Sequence, residues 1–157
     1  MGVCLLDREE ENALKSLVDR LNSTKPLSVK EADQLGRAFR EAAIKRMLET
    51  GATHGAATGD HPMYNQSEAD FRQHIKNTDN DLLTQISTFN FGLDRWFKFG
   101  ETHPPYFPYR IAVIISKRKE LDWEKRFLAS YCRHFRDRIG NRDEKITQRA
   151  LKKGAIS

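Results

Sequence analysis

Five histidines are the first residues to weigh for chemistry: His54, His61, His74, His103 and His134. Three of them, together with Asp60, fall between positions 54 and 74. His54, Asp60, His61 and His74 offer enough nitrogen and carboxylate ligands for a tetrahedral zinc ion. Their spacing follows no His-Glu-x-x-His or Cys-x-x-Cys pattern, so polar loop residues are the expected reading. A metal-dependent enzyme built on the His54/His61/His74 loop therefore ranks third among the candidate functions. The same stretch places Gly51, Gly55 and Gly59 four apart. A phosphate-cradling loop would add Gly-Lys-Ser/Thr at the start of a helix that follows a strand, and this segment follows a helix instead. There is no Gly-x-Ser-x-Gly, so no serine nucleophile is marked. Cys132, between Tyr131 and Phe135 on a helical pattern, reads as an inert core thiol. Asp143-Glu144-Lys145 has the form of a nuclease metal motif, but it falls where acidic residues are expected to open a helix. No catalytic residue, metal ligand or cofactor is assigned.

The strongest chemical signal is cationic. Lys and Arg number 27 against 22 Asp and Glu, a formal charge of +5. Residues 101–157 hold 14 basic and 7 acidic side chains, so the excess belongs to the C-terminal third. Lys117, Arg118 and Lys119 are followed by Lys125, Arg126, Arg133 and Arg136, and then by Arg138, Arg142, Lys145, Arg149, Lys152 and Lys153. A concentrated cationic face attracts polyanions, with nucleic acid the commonest. Lys117, Arg118, Lys119, Lys125, Arg126, Arg133 and Arg136 are the expected contacts, since such side chains neutralise phosphates and release counterions. The expected function is a small accessory or regulatory protein that touches nucleic acid through this face. The alternative is a protein-interaction module, an adaptor or inhibitor, using the aromatic segment 89–109. There Trp96, Phe97, Phe99, Tyr106 and Phe107 are too dense to share one core face, which suggests a partner or homodimer surface.

These groups need a scaffold, and the chain is of ordinary single-domain length at 157 residues and 18.2 kDa. At 38% hydrophobic and 10% aromatic residues it can bury a core without disulfides. No run approaches the length of a membrane span, so no membrane partner is expected. Cys4 and Cys132 make no disulfide framework, and a reducing, cytoplasmic setting is expected. Gly2 invites a myristoylation reading, but Leu6 stands where that signal wants Ser or Thr.

Periodicity predicts an all-α, single-domain bundle of about six helices over 1–157. Apolar residues at three- and four-residue spacing mark helices over 7–22, 28–50, 67–99 with a break near 77–79, and one from 121 closed by Arg138-Ile139-Gly140-Asn141, then a short one over 143–153. Ser28 with Glu31 forms a capping box, and Gly100 terminates the fourth. The first two helices should pair as a hairpin across a short polar connection. Residues 51–66 read as a long mobile loop and 102–109 as a proline and aromatic connector. Arg110–Ser116 is β-branched enough for a lone strand, yet Ile111, Ile114 and Ile115 also fit a helix, which is the preferred reading. Residues 154–157 should fray.

Overall fold

The structure, a computed structural model, describes residues 6–59, 61–136 and 144–157. Among these residues the chain forms α1 (Arg8–Ser23), α2 (Val29–Thr50), α3 (His54–Thr58), α4 (Glu68–Thr78), α5 (Leu82–Phe99), α6 (Tyr106–Lys117), α7 (Leu121–Phe135) and α8 (Glu144–Lys152). No strand occurs among them, so the class is all-α with eight helices rather than about six. The extra helices arise where local signals conflict. In the expected loop, Thr53 caps α3 by accepting from Ala56 N–H, and a 3-10 turn follows over Pro62–Asn65. Residues 51–66 are thus largely turned into short helical pieces rather than left as an open loop.

The 102–109 connector is also shorter than expected. Pro105 occupies the N-cap position of α6 and Pro108 lies in its first turn, where no intrahelical N–H is required. The β-branched run 110–116 continues that helix. Ile111, Ala112, Ile114 and Ile115 are buried, which is helical rather than alternating spacing. Lys119, at φ 63, lets the chain turn back: its N–H bonds to Ser116 O and that of Glu120 to Ile115 O, a Schellman ending.

Helix starts follow the caps written in the sequence. Asp7 with Glu10 and Ser28 with Glu31 both form complete capping boxes, and Ser67 and Asp81 cap α4 and α5. The core is centred on α1, α5, α6 and α7. Leu14, Leu17, Leu21, Leu82, Leu93, Ile111, Ile115 and Leu128 are almost wholly buried around an aromatic cluster. In that cluster Tyr131 stacks obliquely on Phe135 at 4.8 Å, and Phe89 meets Phe127 edge to face at 6.3 Å.

Two expectations fail for reasons of packing. α1 and α2 do not form a hairpin: α1 packs on α7 and α5, whereas α2 packs on α5 and α3. The buried line of α2 is Ala32, Gly36 and Ala43, and Leu48 is 82% exposed. The C-terminal tail does not fray. Ala155 N–H bonds to Ala150 O, and Ala155 and Ile156 pack against the core.

Candidate functional site

α7 carries the centre of the cationic face. Phe127, Leu128, Tyr131, Cys132 and Phe135 are buried, and Lys125, Arg126, Arg133 and Arg136 are exposed. Positions 122, 126, 129, 133 and 136 fall on one helical stripe, so Arg126, Arg133 and Arg136 share a flank with Asp122 at its N-terminal end. Lys117 and Lys119, at the turn between α6 and α7, are exposed as well. Arg126 lies over the Trp123 ring at 4.1 Å, a cation–π contact.

Two of the seven expected contacts have other work. Arg133 Nη1 donates to Leu21 O at 2.8 Å and to Thr24 O at 2.7 Å, so it satisfies carbonyls at the end of α1. Arg118 pairs with Glu10, a buried carboxylate in the first turn of α1. The structure therefore leaves Lys117, Lys119, Lys125, Arg126 and Arg136 with no carboxylate partner among the described residues. Arg138 and Arg142 lie outside the described residues.

The aromatic segment is mostly internal. Trp96 and Phe107 are buried, Trp96 against Phe135 at 5.6 Å. Phe97 is half-buried between Arg20 and the His134 ring, and Phe99 stacks on Phe39 at 4.1 Å. Tyr106 donates its hydroxyl to Asp79 Oδ1 at 2.6 Å. Burial first, and that bond to a carboxylate second, push the Tyr106 phenol up to about 12. Density in sequence reflects four different destinations for these rings, not one exposed surface. The two most exposed large apolar side chains are Ile44 and Leu48 of α2, beside a groove of about 430 Å³ walled by Phe39, Ala43, Met47 and Phe99.

The histidines do not converge. His54 is exposed on α3, His61 accepts from Met63 N–H through Nδ1 and meets Phe91 edge-on, and His74 sits on α4. Asp60 lies outside the described residues. No three His, Cys, Asp or Glu side chains among the described residues approach closely enough to hold a metal. His103 is buried, with its Nε2 2.8 Å from Tyr131 Oη. It sits so close to α5 that a Cβ at Gly92 would meet its own Cβ at 2.8 Å. His61, His103, Arg95 and Glu101 line a cavity of about 280 Å³. Arg95 is committed there to Glu101 and to the carbonyls of Thr58 and Gly59, so this pocket is knitted together by internal bonds.

His134 faces inward from α7 beside the exposed Arg133. It is buried, and its Nε2 lies 2.6 Å from Leu21 O. Burial lowers its pKa below the ordinary 6.5; the Leu21 carbonyl works the other way and the Arg133 charge adds to the lowering. The sign follows directly. Below about pH 6.5 the unfolded ring binds a proton that the folded ring refuses, so stability falls with pH until the folded ring also protonates. His134→Gln is expected to flatten that part of a urea-denaturation pH profile. An unchanged profile would show that His134 is not the group responsible.

No protein-family model, curated protein or solved structure matches this chain. Among the described residues no helix is long and apolar enough to cross a membrane.

Proposed function

We propose that the protein is a nucleic-acid-binding accessory protein whose contact face is Lys117, Lys119, Lys125, Arg126 and Arg136. One observation supports this most. Arg20, Arg95, Arg110, Arg118 and Arg149 are paired with carboxylates, whereas these five exposed cations have none among the described residues. Cations without internal partners cost little to bring against phosphate, because no ion pair must first be broken. The face offers one aromatic ring, Trp123, already covered by Arg126. Such a face suits backbone contact better than base reading, so affinity should depend on charge more than on sequence.

The test is fluorescence anisotropy with duplex DNA, single-stranded DNA and structured RNA over a salt series. The log–log slope is expected at about −4 to −5, since each of the five cations that neutralises a phosphate contributes roughly −0.9 on duplex. The variant Lys125→Glu/Arg126→Glu/Arg136→Glu should bind at least about tenfold more weakly at low salt. Arg133 is left intact in that variant because its loss would unseat α1. No binding of any nucleic acid by the wild type, or equal binding by the variant, sinks the reading.

A protein-interaction module is the second reading, favoured by the exposure of Leu48 and Ile44 beside the α2 groove. A flat response to every nucleic acid would move the function to that face.

A further inference from the structure

A second cationic feature lies apart from the α7 stripe. A groove of about 350 Å³ is lined by Tyr109 of α6 and by Lys145, Gln148, Arg149, Lys152 and Lys153 at α8. Ile146 and Ala150 bury one flank of α8, which turns positions 145, 148, 149 and 152 along the flank facing the groove. The floor is fixed from below. Glu124 of α7 is fully buried, and its Oε1 receives Arg149 Nη2 at 3.2 Å and Lys153 Nζ at 3.6 Å. Arg149 also reaches over the Tyr109 ring, 6.0 Å from its centre. Two cations are thus held in place, while Lys145 and Lys152 remain exposed at the rim. The helix dipole accounts for cations in the last turn of α8, but not for Lys145 in its first turn.

We propose that this groove binds an oligophosphate group of the di- or triphosphate class. Four cations line the groove and one buried carboxylate, Glu124, pairs with two of them from beneath, which leaves an excess of three positive charges among these groups. A single phosphate monoester cannot balance that excess, whereas a di- or triphosphate can. The lining side chains are charged or polar apart from one tyrosine, whose hydroxyl can donate to a phosphoryl oxygen. The site does not depend on the α7 face being a nucleic-acid surface.

Isothermal titration of the full chain with tripolyphosphate at low salt tests it. The expected result is saturable binding at one site per chain, with inorganic phosphate at least tenfold weaker. Lys145→Gln/Lys152→Gln should weaken tripolyphosphate at least tenfold, while Lys25→Gln/Lys30→Gln, the same charge change at lysines elsewhere, should change it less than twofold. ATP binding more tightly than tripolyphosphate would assign the phosphates to a nucleotide, and equal binding to a free oligophosphate. No saturable heat, several equivalents per chain, AMP binding as tightly as tripolyphosphate, or equal losses in the two lysine pairs would each overturn the proposal.

Discussion

Gly100→Ala is expected to destabilise the protein by about 2–4 kcal/mol, well beyond the same change at Gly51. Two costs coincide at this position. Gly100 ends α5 at φ 64, a left-handed conformation that costs an L-residue about 1 kcal/mol or more. A Cβ there would also stand 2.2 Å from the Ala32 carbonyl oxygen of α2. That contact cannot be relieved by turning a side chain, because the obstacle is backbone. α2 would have to rise off α5, and it lies there on the small residues Ala32, Gly36 and Ala43. The Phe39–Phe99 stack would open with it. Gly51→Ala separates the two costs. Gly51 has φ 68 but nothing within 4 Å of its would-be Cβ, so only the conformational cost of about 1 kcal/mol applies. Urea denaturation of both variants measures the difference. Equal losses would mean that α2 does not press on Gly100.

Glu124→Ala is expected to cost about 3–5 kcal/mol, the usual consequence of removing one member of a buried ion pair. Glu124 is the only carboxylate beneath Arg149 and Lys153 among the described residues, and it is 0% exposed. Its removal leaves the partly buried guanidinium of Arg149 with no counter-charge and weakens the seat of α8 on α7. The loss should appear first as faster amide exchange in α8, since a helix of nine residues has little stability of its own. Arg149→Met in the same chain should recover part of the loss, because it removes the stranded charge and keeps the side chain's bulk. Strict additivity of the two changes would show that Glu124 and Arg149 do not interact.

Arginine placement explains why the candidate site was only half legible. In sequence, Arg118, Arg126, Arg133 and Arg136 form one basic run. In the fold, Arg133 reaches back across more than a hundred positions to carbonyls at the end of α1, and Arg118 does the same to Glu10. A guanidinium meets a carboxylate, a carbonyl or a phosphate with the same donors, so its residue type does not say which it will find. The groove at α8 was hidden for the same reason. Its lysines were visible as charge, but Tyr109 and Glu124 belong to other helices, and only their packing makes a walled, floored cleft.

Local sequence pattern specifies the all-α class, most helix starts, and the inward faces of α1, α5 and α7. Those features rest on interactions three or four residues apart: Ser28 with Glu31, Asp7 with Glu10, and the stripes Leu14–Leu17–Leu21 and Phe127–Tyr131–Phe135. Tertiary structure alone decided which helices touch, why α2 turns Leu48 to solvent, and where the aromatic rings of 96–107 go. It also decided that Pro105 and Pro108 open a helix rather than a connector. Each of these depends on the shape and charge of a partner distant in sequence, and a local pattern carries no information about a surface it has not yet met.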